Sequence, residues 1–228
     1  LAILILLPKG ATVYILGGPV ALNSGIDAEL QNLGFNTQRI SGDTQYGTAV
    51  AIAQAMGNPS TVFEATGTSF ADALSAVPAA IATGGAILLT NGSTQNSETA
   101  AYLQAHPPKN RYAIGGPQAA AGADPSATPV YGADLYGTSA AVASQFFPKP
   151  ANLGFATGNG FADALGGGPF MGVAGTVGPM LLVAPNAPLP QSIANYVSAT
   201  KSSVTQAFLF GGAGAVGDDV VQAVEAIG

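Results

Sequence analysis

Two aspartates stand in nearly the same surroundings. Asp72 lies in Thr66-Gly67-Thr68-Ser69-Phe70-Ala71-Asp72-Ala73-Leu74, and Asp163 in Thr157-Gly158-Asn159-Gly160-Phe161-Ala162-Asp163-Ala164-Leu165. A carboxylate after a Thr-Gly loop could act as a general base or a metal ligand. The same residue at the head of a helix also meets orphan backbone N–H groups and the positive end of the helix. Duplication without a partner acid or base favours the helix role. Tyr46 and Tyr136, each in Tyr-Gly-Thr, could stack on a sugar ring or seal an interface between repeats. Arg39 could meet an anionic group, but a single arginine in one copy is better read as tying down a loop. The pairs Gly17-Gly18, Gly115-Gly116 and Gly211-Gly212 follow apolar runs, where a phosphate-binding turn would sit. They lack the full G-x-G-x-x-G spacing, and proline follows the first two, so tight strand-to-helix turns are the better reading. His106 precedes Pro107-Pro108 with no Ser, Cys or metal-ligand partner at useful spacing, and reads as solvent-exposed. Asp218, Asp219 and Glu225 read as a solvated acidic face. No catalytic residue, metal site or cofactor is expected.

These motifs recur at 90 residues for the tyrosine motif, 91 for the aspartate motif, and 98 then 96 for the glycine pair. Such a period suits an array of compact α/β modules, not a solenoid of small units. The chain of 228 residues has 48% hydrophobic but only 8% charged residues, against a usual charged share of about 25%. It therefore covers itself with Ser, Thr, Asn, Gln and backbone, or buries surface against other molecules. Its six basic residues (Lys9, Arg39, Lys109, Arg111, Lys149 and Lys201) are scattered, and the net charge is −6, which argues against nucleic-acid binding. The absence of cysteine excludes disulfides and thiolate chemistry and fits an exported bacterial protein. No stretch reaches the roughly 18–20 apolar residues of a membrane span.

Predicted strands are Thr12–Leu16, Ser60–Ala65, Ala86–Thr90, Arg111–Ile114, Asn152–Ala156, Pro179–Val183 and Gln206–Phe210. Predicted helices are Ser24–Leu33, Thr44–Met56, Phe70–Ala82, Ser97–Ala105, Leu135–Phe146, Phe161–Val173, Pro190–Ala199 and Gly217–Ile227. Continuous apolar strands alternating with helices imply parallel sheets covered on both faces, an α/β class with Rossmann-like or flavodoxin-like layering. Ser24 with Asp27, and Ser69 with Asp72, have capping-box spacing. Pro78 and Pro169 should kink or stop their helices. The apolar opening Leu1–Leu7 reads as a buried strand. The first copy is short, either trimmed or lacking residues between Ile5 and Leu7, and a measured mass separates these. The expected units are a partial repeat over 1–38 and full repeats over 39–128 and 129–228.

The ordered motifs Arg39-Ile40-Ser41-Gly42, Tyr46-Gly47-Thr48-Ala49, Thr66-Gly67-x-x-Phe70-Ala71-Asp72-Ala73-Leu74, Ala86-Ile87-Leu88-Leu89 and Gly115-Gly116 resemble the bacterial cell-wall-binding repeat type 2 family. The third copy matches through Tyr136-Gly137-Thr138, the Asp163 motif and Pro179-Met180-Leu181-Leu182. The resemblance spans nearly the whole chain. It implies tandem modules in a pseudo-threefold arrangement, and non-covalent anchoring of an exported protein to the Gram-positive wall. The polymer-binding candidates it implies, together with the readings above, are Arg39, Tyr46, Thr66, Asp72, Ile87, Leu88, Leu89, Tyr136, Thr157, Asp163, Leu181 and Leu182. The family arginine before the tyrosine is Gln45 in one copy and Leu135 in the other. The expected partner is a wall polymer or glycan held in grooves between repeats, at an extracellular, wall or cell-surface location. The alternatives are a self-assembling surface-layer or filament subunit that packs against like subunits, and a Rossmann-like hydrolase or transferase.

Overall fold

The computed structural model describes residues 7–185 and 187–227. The opening apolar run, read as a strand, lies almost entirely outside these residues. The elements run β1 (Thr12–Leu16), α1 (Gly25–Asn32), β2 (Asn36–Ile40), α2 (Gln45–Ala55), β3 (Thr61–Thr66), α3 (Ala71–Thr83), β4 (Ala86–Thr90) and α4 (Ser97–Ala105). They continue β5 (Asn110–Ile114), α5 (Ala120–Ala123), β6 (Thr128–Val130), α6 (Leu135–Phe146), β7 (Asn152–Thr157), α7 (Ala162–Gly172), β8 (Met180–Val183), α8 (Gln191–Thr200), β9 (Gln206–Phe210) and α9 (Asp218–Ile227). The class is α/β. The strands form three sheets, ordered β1-β2, β4-β3-β5-β6 and β8-β7-β9, and every pairing within them is parallel.

The central strands β3 and β7 are buried along their whole length, as expected of parallel strands covered on both faces, although β3 carries the acid Glu64 at its centre. Val62 and Leu88 pack under α2 and α4, through Ala49, Ala53, Tyr102 and Leu103. Phe63, Ala65 and Ile114 pack on the other face under Ala76, Ala79 and Ala80 of α3. Val142 and Phe147, of α6 and its end, join that second cluster. The two full repeats therefore share a core.

The join is tightened through α3. Ala71 and Leu74 pack with Ala156, Ala164, Met171, Met180 and Leu182 of the following repeat. Gly168 and Gly172 of α7 face Val77 and Ile81 of α3 so closely that a Cβ at Gly172 would lie 2.7 Å from Ile81 Cβ.

Three expectations change. Strands β2 and β6 were not foreseen: both are edge strands, β2 polar in sequence and β6 containing Pro129, which an edge tolerates because one side of the strand needs no ladder bond. Pro78 and Pro169 do not stop their helices, since α3 runs on to Thr83 and α7 to Gly172. The missing N–H weakens the ladder at Pro78, but α3 is buried on both sides of it, and packing holds the helix. Neither expected capping box forms. Ser24 is in helical conformation and its side chain caps nothing, while α3 begins after Phe70 instead of Ser69. The carboxylate of Asp27 pairs with Arg39.

Candidate functional site

The repeated motifs make contact with one another in pairs. In the first pair, the Tyr-Gly-Thr motif closes the turn ahead of its helix. Thr44 caps α2 by accepting from the N–H of Gly47 (2.9 Å), and Asp134 caps α6 by accepting from Gly137 (2.7 Å). Thr48 Oγ1 accepts from the N–H of Gly42 (3.1 Å), and Thr138 Oγ1 from Gly132 (3.2 Å). A Cβ at Gly42 would fall 2.4 Å from the carbonyl carbon of Gly47, and one at Gly132 would fall 2.3 Å from that of Gly137. The turn therefore demands glycine.

In the second pair, the tyrosine meets the Thr-Gly loop. Gly67 and Gly158 extend the sheets by donating to Thr90 O and Val183 O, each at 2.8 Å. A Cβ at either position would lie 3.1 Å from Tyr46 Cε1 or 3.0 Å from Tyr136 Cε1. Both tyrosines are half-buried, with Tyr136 packed against the clusters around Leu181 and Leu182. Thr66 and Thr157 are buried and hold their own loops: Thr66 Oγ1 accepts from Thr68 N and Gly92 N, and Thr157 Oγ1 from Asn159 N, each at 3.2 Å.

The third pair joins the aspartate to the glycine pair. A Cβ at Gly115 would lie 2.3 Å from Asp72 Oδ2, and one at Gly211 would lie 2.6 Å from Asp163 Oδ2. Both glycines also adopt positive φ, +102° and +114°. Burial pushes the Asp72 carboxyl up to about 6. Neither carboxylate accepts a cap hydrogen bond among the described residues, so each sits in the first turn of its helix near the positive end without satisfying orphan N–H groups.

The other candidates divide by exposure. Arg39 donates to Gly17 O and is ion-paired with Asp27, tying the first glycine turn to α1. Leu88, Leu181 and Leu182 are completely buried, so no ligand reaches them while the core is packed. Ile87 is half-buried against the α3 cluster, and Leu89 lines a groove.

Two grooves occupy equivalent places, at the carboxyl ends of β1/β2 and of β5/β6. The first, about 700 Å³, runs from Leu16-Gly17-Gly18-Pro19 across to Ser41–Gln45 and Leu89. The second, about 390 Å³, runs from Gly116-Pro117-Gln118 across to Tyr131–Leu135, with Ser69, Ala71 and Asp72 on its flank. Crevices at the carboxyl ends of parallel strands are where α/β folds bind ligands. A separate hollow of about 380 Å³ lies between the Thr66-Gly67 loop and Phe161 and Leu165 of the next repeat, beside an edge-to-face contact of Phe70 with Phe161.

Sequence reading missed a buried charged cluster in the second repeat. Glu64, fully buried on the central strand, accepts from Gln95 Nε2, and its Oε1 has no hydrogen-bond partner. Arg111 lies 3.8 Å from it and 2.7 Å from Asp124. Burial and the neighbouring Asp124 push Glu64 up to about 8. Burial would also raise Asp124, but Glu64, Ser126 and the Arg111 guanidinium outweigh it and hold that carboxyl down at about 2. The signal was present: one acid in the otherwise uncharged strand Thr61–Thr66. Tyr131, which faces the second groove, was also missed.

His106 is exposed and lies against Tyr102, with ring centroids 5.2 Å apart and the rings tilted by 42°. Among the described residues no cluster of His, Asp and Glu could hold a metal, and no helix is long and apolar enough to cross a membrane. Replacing Asp134 by alanine should cost about 1 kcal/mol by removing the cap of α6, whereas Asp134→Asn should be nearly neutral. Thermal melts of the two variants check this.

Comparison with known proteins bears on the family and the fold. The chain is 28% identical to N-acetylmuramoyl-L-alanine amidase LytC of Bacillus subtilis (strain 168) over 159 residues, 68% of this chain and 32% of LytC. Its fold matches Cwp8 from Clostridium difficile with a TM-score of 0.82 at 19% identity, covering 96% of this chain and 38% of Cwp8. It matches Cwp6 from Clostridium difficile with a TM-score of 0.71 at 24% identity, covering 82% of this chain and 31% of Cwp6. The chain thus spans about a third of each relative. The model of cell wall binding domain 2 (CWB2) matches twice, over residues 39–122 and 130–221, and the chain belongs to that family.

Proposed function

We propose that this chain is a non-catalytic wall-binding region of an exported bacterial protein, built of a partial repeat (1–38) and two full repeats (39–128 and 129–228). It holds wall polymer in the grooves between repeats. The observation that carries this reading is the repetition of one groove by the same motifs, at the carboxyl ends of β1/β2 and again of β5/β6. No histidine lines either groove, and Asp72, like Asp163, lies against a glycine turn. Weak sites repeated along one polymer gain strength through effective concentration, which is the physical reason to duplicate them.

Purified chain is expected to sediment with isolated Gram-positive walls and to stay in solution without them. Absence from the wall pellet at every protein concentration tried would end the reading. Packing against like subunits is the second reading, favoured by the exposure of Phe161, Leu165 and Phe170. Light scattering on the same sample separates the two, since assembly predicts a mass that climbs with concentration.

A further inference from the structure

We infer that the groove at the ends of β5 and β6 takes an uncharged, hydroxyl-rich glycan segment and not a polyanion. The inference rests on the wall-binding reading and specifies the chemistry of the ligand. The Tyr131 ring lies over the glycine turn, 3.5 Å from where a Gly116 Cβ would be, and keeps 44% of its surface exposed. It offers the flat apolar face on which the C–H side of a sugar ring packs. Across the groove stand Asp72, Asp134 and Gln118. Carboxylate and amide oxygens accept hydrogen bonds from sugar hydroxyls, and a carboxylate can take two at once.

The charges argue the same way. No Lys, Arg or His lines either groove, whereas Asp43 lines the first, and Asp72 and Asp134 line the second. A phosphate-rich polymer there would set like charges together with no counter-charge. Both arginines are engaged elsewhere, Arg39 by Asp27 and Arg111 by Asp124. The hollow that does carry cations, lined by Lys109 and Arg111, lies at the opposite ends of β5 and β6. The first groove repeats the backbone frame but has Ser41 where the second has Tyr131, so the second is the stronger site.

The test is co-sedimentation of the purified chain with native walls and with walls stripped of anionic polymer by hydrofluoric acid. Each is run at about 50 mM and about 500 mM NaCl, across which the screening length falls several-fold. Retention on stripped walls should equal or exceed that on native walls and change by less than about twofold with salt. Tyr131→Ala should weaken retention about tenfold, equivalent to about 1.4 kcal/mol. Tyr131→Phe should restore it, and Lys109→Ala should leave it unchanged. Asp134→Asn keeps the helix cap, so weaker retention by this variant reports on the ligand and not on folding. Binding that is lost on stripping, falls steeply with salt, or fails in Lys109→Ala would overturn the inference while leaving wall binding intact. Absence of retention on both kinds of wall would overturn both.

Discussion

Gly172→Leu is expected to loosen the two full repeats from each other and to lower the melting temperature of the whole chain. In α7 the stretch Gly166-Gly167-Gly168-Pro169-Phe170-Met171-Gly172 looks like a poor helix, since each interior glycine costs about 0.5–1 kcal/mol relative to alanine. The contact with α3 explains its retention. A Cβ at Gly168 would stand 3.0 Å from Val77 Cβ, and one at Gly172 would stand 2.7 Å from both Ile81 Cβ and Ile81 Cδ1. Overpacking of a close-packed contact costs about 1–3 kcal/mol, and the long branched side chain should reach the upper end. For a chain of this size that is roughly 4–10 °C in melting temperature.

Gly166→Ala supplies the control in the same helix. Nothing lies within 4 Å of its Cβ position, so that variant should be neutral or slightly stabilising. Gly172→Ala combined with Ile81→Ala should recover part of what Gly172→Ala loses, because the removed isoleucine makes the needed room. Additive losses in that double-mutant cycle would show that the helix contact does not limit stability.

The second large effect is on pH. Glu64 has its folded value raised to about 8 from an ordinary 4.5, with burial as the first cause. Between these values the folded state binds more protons at Glu64 than the unfolded state, so stability falls as pH rises from 4.5 through about 8. Asp124 acts in the other direction and in another window. Its folded value of about 2 stabilises the fold above 3.8, and this is lost as pH falls toward 2. Melts from pH 5 to pH 9 should therefore decline by a few kcal/mol, on the order of 5–10 °C. Glu64→Gln should flatten the decline. An equally steep decline in that variant would assign the effect to other groups.

The third repeat shows that the charged cluster is replaceable as a unit. Where the second repeat has Glu64, Arg111 and Asp124, the third has Phe155, Ala207 and Val220, and Phe155 and Val220 share one apolar cluster. Buried ion pairs of this kind often contribute no more than well-packed apolar residues, while removal of one member strands the others. Arg111→Ala alone should thus cost about 3 kcal/mol. Joint replacement by the third repeat's residues should cost much less.

The sequence by itself determined the α/β class, the buried strands and the pairing of motifs across copies. Runs such as Leu153–Ala156 and Leu181–Val183 carry no polar side chain and call for burial on both faces, and that burden is visible residue by residue. It also favoured a helix role for the repeated aspartates and a turn role for the glycine pairs, and left the tyrosines open, while the close approaches of Gly67 to Tyr46 and of Gly115 to Asp72 emerge only in three dimensions. Tertiary structure alone decided the rest. Whether Thr44 caps a helix and Ser24 does not depends on backbone conformation: Thr44 is extended (φ −124°, ψ 169°) and Ser24 is helical (φ −61°, ψ −19°), so only the first side chain can bend back to a free N–H. The strands β2 and β6 exist because a parallel neighbour offers a ladder, a partner no local pattern can display. The chemistry of the second groove was likewise invisible, since Asp72, Gly116 and Tyr131 are distant in the chain and meet only where parallel strands end together. Local preference is written in consecutive residues, whereas a binding surface is set by which distant residues the sheets bring side by side.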